Sequence, residues 1–293
     1  MVNQEGEVIV ERICAGIVSY NPDIERLRLN VSAICCQVLK IYIVDNGSTN
    51  LSAINNIVGA FSNVTIITNT ENVGIAKALN QLCEAADKEN FQWILTLDQD
   101  TVCSEDLIEQ LSRYIDREDA GIICPVVKYE GWDSVEIQTS SSDCEEVKAC
   151  MTSGSLTRID AWKSVTGFRE EYFIDFVDNE FCMKLRLAQY KIIRVNSCAM
   201  SHQLGESGII SFLGINKIKY TRHAPWRFYY MIRNNRAFIE EYKSYLPVYK
   251  EYLKLWYILS KGILFSKEKR KTIHYIFAGY RDGQAHRLGK LVQ

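Results

Sequence analysis

The sequence predicts an α/β protein built on a mainly parallel sheet. Apolar runs of strand length alternate with helical patterns, and each run ends in polar turn residues, which is the signature of strands joined by crossover helices. Arg12 to Ser19 is the first such run, with Ile13, Ile17 and Val18. Asp23 to Val38 follows as a helix, its apolar positions Ile24, Leu27, Val31 and Ile34 at helical spacing and Pro22-Asp23 as start signals. Ile41-Tyr42-Ile43-Val44 and Val64-Thr65-Ile66-Ile67 repeat the strand pattern, and Val73 to Ala86 repeats the helix with Ile75, Ala78, Leu79 and Leu82. Trp93-Ile94-Leu95-Thr96-Leu97 reads as a fourth strand, and a helix begins near Ser104. Further on, Val147 to Met151 and Lys191 to Val195 read as strands, with a helical pattern between them that places Phe181, Leu185 and Ala188 on one face. Crossovers of this kind are right-handed, and ligands bind at the carboxyl ends of the strands.

Composition sets the class. A chain of 293 residues with 47% hydrophobic and 24% charged residues is an ordinary globular protein of one large or two small domains, and a net charge of -2 argues against general nucleic-acid affinity. Neither an apolar run of spanning length nor a secretory signal pattern is present, so a cytoplasmic protein is expected. Ten cysteines without a repeated Cys-x-x-Cys spacing read as buried small hydrophobes in a reducing compartment. The adjacent pair Cys35-Cys36 is expected to point to different faces of its helix.

The strand ends carry the chemistry. The fourth strand stops at Leu97-Asp98-Gln99-Asp100, two carboxylates one residue apart at the rim of the sheet, where oxygen ligands can hold a divalent cation against a phosphate ester. The same acids also fit a capping role for the next helix. The first strand runs into Ser19-Tyr20-Asn21-Pro22, the second into Asp45-Asn46-Gly47-Ser48 and the third towards Asn72-Val73-Gly74. Taken singly these are ordinary turns. Four on one predicted edge suit a nucleobase and ribose beside a metal-held diphosphate. Asp98-Gln99-Asp100-Thr101-Val102 also fits the nucleophile motif of a haloacid-dehalogenase phosphatase, although that motif belongs after a first strand. A noncatalytic nucleotide-sugar-binding module is a third reading. A dinucleotide oxidoreductase is disfavoured because no Gly-x-Gly-x-x-Gly follows the first strand.

Ile17-Val18-Ser19-Tyr20-Asn21, Ile43 to Ser48, Asn72 to Ala76 and Leu97 to Asp100 stand in the order found in family 2 glycosyltransferases, which the chain resembles over roughly residues 10 to 240. Within that family it looks most like bacterial dTDP-rhamnosyltransferases of surface polysaccharide and O-antigen synthesis, on Asn72 to Ala76 and Phe173 to Arg186. The resemblance implies a GT-A fold and an inverting, metal-dependent transfer of a deoxysugar from a dTDP donor, dTDP-L-rhamnose, to a glycan or lipid-linked oligosaccharide acceptor. It implies Mn2+ or Mg2+ as cofactor, held by Asp98, Asp100 and His202. It places the donor against Ser19, Tyr20, Asp45, Asn72, Gly74, Lys77, Asp98 and Gly154, and the base at Asp178 with Glu180 in reserve. Asp178 and Glu180 equally suit the first turn of a helix.

Trp226 to Asn234 sets Arg227 and Arg233 among aromatics; these are diphosphate or lipid-phosphate candidates, and a buried amphipathic helix accounts for the same pattern. The expected domains are a catalytic domain over 1–247, with a nucleotide half about 10–125 and an acceptor half about 126–247, and a helical extension over 248–293. From Lys261 to Gln293, eight Lys or Arg face two Asp or Glu, a balance of +6. That extension fits peripheral contact with the inner face of the cell membrane or a packing role that includes a homodimer.

Overall fold

The computed structural model describes residues 12–129, 142–202, 207–212, 216–221 and 223–291. The chain divides into two compact units, the first comprising the residues up to Arg169 together with Asp178–Gln203, the second Glu170–Val177 with Leu204–Gln293.

In the first unit the strands are β1 (Ile13–Ser19), β2 (Ile41–Asp45), β3 (Val64–Thr68), β4 (Trp93–Asp98), β5 (Ala120–Tyr129), β6 (Cys144–Val147), β7 (Ser155–Arg158) and β8 (Lys191–His202). They form an eight-stranded sheet in the order β3-β2-β1-β4-β7-β5-β8-β6. The helices are α1 (Ile24–Ile34), α2 (Leu51–Val58), α3 (Ile75–Lys88), α4 (Leu107–Ser112), α5 (Ile159–Ser164) and α6 (Val177–Leu187). β3, β2, β1 and β4 are parallel, as the alternation predicts. β7 enters between β4 and β5 antiparallel to both, which makes the sheet mixed. β1 is buried along its whole length, the reason its sequence is an unbroken apolar run, whereas β3 is an edge strand with partly exposed residues. α1 starts where expected, with the Asp23 carboxylate accepting the Arg26 N–H at 2.8 Å.

Two readings are corrected. The strand expected over Val147 to Met151 ends at Val147, where β6 begins at Cys144 and pairs antiparallel with β8. Cys35 and Cys36 do not diverge on a helix, because α1 ends at Ile34; their sulfurs lie 3.6 Å apart. Elsewhere burial pushes the thiols of Cys103 and Cys198 up to about 11 and those of Cys14 and Cys83 up as well, so they stay protonated and behave as apolar side chains. α2 had no counterpart in the sequence reading.

Asn80, buried on α3, fixes the segment that leads to α6. Its Nδ2 donates to the Phe168 carbonyl at 2.9 Å, and its Oδ1 accepts from the Phe168 N–H at 2.8 Å and from Trp162 Nε1 at 3.0 Å. Phe168 in turn lies against Phe181 of α6, ring centroids 4.0 Å apart.

The second unit contains the hairpin β9 (Ser207–Phe212) and β10 (Asn216–Thr221), then α7 (Pro225–Tyr242), α8 (Val248–Phe265) and α9 (Lys269–Gln284). Phe228, Ile232, Leu255 and Ile276 form its core. The expected boundary after Pro247 falls inside this unit, because α7 shares that core with α8 and α9.

Asn80→Leu removes three hydrogen bonds and strands the buried Phe168 N–H and carbonyl, with the half-buried Trp162 Nε1 beside them. It is expected to lower the unfolding free energy by about 2–6 kcal/mol in a urea titration, from a desolvation cost of about 1–3 kcal/mol for each of those two buried groups.

Candidate active site

Parallel pairing sets the strand ends side by side. Ser19 is in register with Asp45, and Val18 with Asp98, so the ends of β2, β1 and β4 present Ser19, Asp45 and Asp98 along one edge, with Tyr20 and Asp100 in the turns that follow. Tyr20 is an exposed aromatic whose backbone N–H donates to Gln99 Oε1 at 2.7 Å, which ties the first turn to the fourth.

Asp45 is buried. Its Oδ2 accepts the Ser48 N–H at 3.1 Å, while its Oδ1, and Ser19 Oγ on the neighbouring strand, have no hydrogen-bond partner among the described residues. Two buried polar atoms left open on adjacent strand ends are costly unless a ligand supplies the missing partners.

Asn46 organises the next turn. Its Nδ2 donates to Asn72 Oδ1 at 3.2 Å and to the Gly74 carbonyl at 3.3 Å, and its Oδ1 accepts the Val73 N–H at 3.0 Å. Asn72 Oδ1 also accepts the Gly74 N–H at 2.9 Å. The two turns approach so closely at Gly47 (φ +81°) that a Cβ there would lie 2.7 Å from the Glu71 carbonyl carbon. Lys77, in the first turn of α3, is exposed.

The acidic turn is clamped from several elements. On α1, Asn30 Nδ2 donates to the Asp98 carbonyl at 2.7 Å and Arg26 Nε to the Asp100 carbonyl at 2.6 Å. From the segment before β7, Ser153 Oγ accepts the Asp98 N–H at 2.9 Å and lies 2.9 Å from Thr101 Oγ1. The Gly154 N–H donates to the Thr96 carbonyl at 2.7 Å, and a Cβ at Gly154 (φ +82°) would lie 2.4 Å from Met200 Sδ. Asp98 and Asp100 are themselves half-buried. The side chain of His202 lies outside the described residues, and among the described residues no group of three His, Cys, Asp or Glu side chains gathers in metal-holding geometry.

Asp178 and Glu180 stand in the first turn of α6 with opposite exposures. Asp178 is half-exposed, whereas Glu180 is 1% exposed with Oε2 3.6 Å from Lys184 Nζ one turn along.

In the second unit, Arg227 grips Asp175, its Nε 3.2 Å from both carboxylate oxygens and its Nη2 3.0 Å from Oδ1. Arg233 is 1% exposed and donates to the carbonyls of Glu171, Tyr172 and Gly289, with its guanidinium over the Tyr230 ring at 4.8 Å. Asn234 Nδ2 donates to the carbonyls of Tyr172, Ile174 and Asp175 at 2.8–2.9 Å. These contacts hold a backbone in which Phe173, Asp175 and Phe176 all have left-handed φ of 63–64°. Such residues cost about 1–3 kcal/mol each unless the surroundings impose them.

The profile of glycosyl transferase family 2 matches residues 14–183, a span that runs from β1 into α6 and takes in the whole edge just described. The chain belongs to glycosyl transferase family 2. This transferase is 28% identical over 280 residues to the dTDP-rhamnosyl transferase RfbF of Shigella flexneri, covering 90% of its own length and 91% of that protein. Its fold is that of TarS from S. aureus solved with UDP-GlcNAc (TM-score 0.59, 16% identity, 93% of this chain and 81% of that one) and of GalNAc-T7 solved with UDP, GalNAc and Mn2+ (TM-score 0.59, 13% identity, 96% and 57%). The GT-A fold expected from the sequence is therefore present. Membership also decides against the phosphatase reading of Asp98 and Asp100, whose strand is the fourth in the chain.

The sequence reading assigned no role to Asn30, Asn46 or Ser153; Asn30 and Ser153 hold the backbone of the Asp98 turn, and Asn46 holds the turn from Asn72 to Gly74. A signal existed for Asn30, a polar residue on the buried stripe Leu27, Val31 and Ile34 of α1. Asn46 and Ser153 sit in turns, where such residues are common.

Gly47→Ala forces a left-handed alanine into the Glu71 backbone and is expected to cost about 1–3 kcal/mol of stability, read from the urea midpoint.

Proposed function

We propose that this transferase moves L-rhamnose from dTDP-L-rhamnose to a hydroxyl of a growing polysaccharide with inversion at the anomeric carbon. The observation that carries the reading is the strand edge on which Ser19 Oγ and Asp45 Oδ1 lack hydrogen-bond partners among the described residues, beside Asp98 and Asp100. A pyrimidine imide offers a donor N–H flanked by carbonyl acceptors. The Asp45 carboxylate suits the former and the Ser19 hydroxyl the latter, with Tyr20 as a stacking face. Asn72, Gly74 and Lys77 follow on the adjoining turn and helix and suit the ribose and phosphates. The similarity to RfbF favours thymidine as the nucleoside and rhamnose as the sugar.

A diphosphate brought to an edge that already holds several carboxylates is repelled unless a cation intervenes. Two half-buried oxygen ligands suit a site of the Mg2+ type, which takes one or two carboxylates and is completed by water and substrate phosphates. Asp98 and Asp100, with His202 as a further candidate, would hold Mn2+ or Mg2+, whose chemistry there is to neutralise charge on the departing diphosphate. Ser153 and Gly154 fix the backbone beside those acids.

Asp178 is the base in this reading. A sugar hydroxyl is a weak nucleophile, so a carboxylate takes its proton as the oxygen bonds to C1 and the C1–O bond to the diphosphate breaks, releasing dTDP. Asp178 is half-exposed in the first turn of α6, whereas Glu180 is buried beside Lys184 and suits a structural role. Arg227 is engaged with Asp175, and Arg233 with backbone carbonyls, which favours positioning of the loop before α6 over phosphate binding for both.

A donor screen by nucleotide release, with and without Mn2+ or Mg2+, tests the substrate. Release from dTDP-L-rhamnose is expected to exceed that from UDP-sugars, and equal rates for all donors would overturn the choice of donor. Asp178→Asn is expected to keep donor binding and lose roughly 100- to 10,000-fold in transfer. Normal transfer by that variant with a dead Glu180→Gln would move the base to Glu180. Asp100→Ala is expected to abolish turnover in a folded protein, and full activity of that variant in chelator would reject the metal assignment. Asp45→Ala is expected to raise the donor KM by about 10- to 150-fold, as for a lost hydrogen bond to a charged group.

A further inference from the structure

α8 is apolar on two faces. Tyr252, Leu255, Leu259 and Ile263 pack inward on α7 and α9, while Tyr249, Leu253, Trp256, Tyr257 and Leu264 recur at helical spacing on the outward side and are exposed, Trp256 by 68%. α9 repeats this with Ile273, Phe277 and Tyr280, of which Phe277 is 70% exposed. An aqueous surface helix carries polar residues there, so an outward stripe this rich in aromatics calls for an occupant.

Charge selects it. Residues 248–293 carry ten Lys or Arg against three Asp or Glu, a net +7 in a chain that is -2 overall, which leaves -9 on residues 1–247. Lys250, Lys254 and Lys261 run along one edge of the α8 stripe at spacings of four and seven, and Lys261 Nζ lies 4.3 Å from the Tyr257 ring centre. Lys269, Arg270 and Lys271 open α9, whose first turn has no acidic residue, so three cations sit at the positive end of the helix dipole and oppose it; Glu268 pairs with Lys271 alone among them. A cavity of about 310 Å³ beside the end of α8 is lined by His223, Phe228, Lys261, Phe265, Lys267 and Glu268, which sets two more lysine stems at that end of the helix. A second copy docked face to face would set like charges together. An anionic surface relieves them.

We propose that the outward face of α8 and α9 docks on an anionic lipid bilayer, aromatics at the interface and lysines extended to the headgroups, independently of which sugar is transferred. Tyr and Trp favour that depth, and lysine stems reach from it to phosphate. No helix among the described residues is long and apolar enough to cross a membrane, so the contact is one of lying on the surface.

The test is flotation of the full chain with vesicles of phosphatidylcholine alone or mixed with phosphatidylglycerol, an assay that needs no transferase activity. Salt-sensitive binding to the mixed vesicles alone is expected. A cation near such a surface contributes a factor of about five, so replacing Lys267, Lys269, Arg270 and Lys271 by Gln together is expected to weaken binding at least tenfold, while the melting temperature does not fall because the dipole conflict is removed. Trp256→Ser with Phe277→Ser is expected to lose binding at unchanged charge. The proposal is overturned if the wild-type chain ignores phosphatidylglycerol vesicles, or if both variants bind as it does. It is equally overturned if sedimentation shows a dimer that the Trp256/Phe277 variant dissolves, since the occupant is then a second copy.

Discussion

The turn that carries Asp98 and Asp100 ends a buried strand, and its backbone groups must find partners where the sheet stops supplying them. Asn30 and Arg26 take the carbonyls from α1, and Ser153 takes the Asp98 N–H from the segment before β7. Contacts from elements so distant in sequence make the position of the two carboxylates a property of the whole first unit. Insertion of β7 between β4 and β5 is what brings Ser153 there, and Gly154 lets that segment pass close to Met200.

The second unit applies the same device to a loop. Phe173, Asp175 and Phe176 adopt backbone angles that non-glycine residues avoid, and α7 offsets the cost with Arg227, Arg233 and Asn234. Asn234 reaches three carbonyls of that loop with one amide group. A charged guanidinium buried as Arg233 is would be costly in apolar surroundings, but carbonyl acceptors and two tyrosine rings surround it.

How much of this the sequence revealed follows from the range of the forces involved. β1, β2 and β4 were legible because buried parallel strands must be apolar throughout, β3 because its short run is rich in β-branched residues, and α1 and α3 because their stripes are local. The places of Asp45, Asp98 and Asp100 at or just past strand ends were legible because each apolar run stops there. The antiparallel entry of β7 was not, since pairing with β4 and β5 leaves no mark in a four-residue strand. β6 was misplaced because Val147, its last residue, begins an equally plausible apolar stretch. The contrast between Asp178 and Glu180 is also tertiary: both occupy one helical turn, and only packing decides which is buried. Arg233 and Asn234 looked like the polar side of an amphipathic helix because nothing nearby in sequence names the carbonyls they serve.

The bonds from Arg233 to Glu171 and Gly289, and from the Gly289 N–H back to the Glu171 carbonyl, join an early loop to nearly the last described residues. During synthesis the chain emerges from its N-terminal end, so β1 to β4 can pair while translation continues. The loop of Glu170–Val177 cannot. Its carbonyls acquire all their partners only once Arg233, Asn234 and Gly289 have been made, which gives the second unit a late folding step with high contact order and a window of exposure to chaperones.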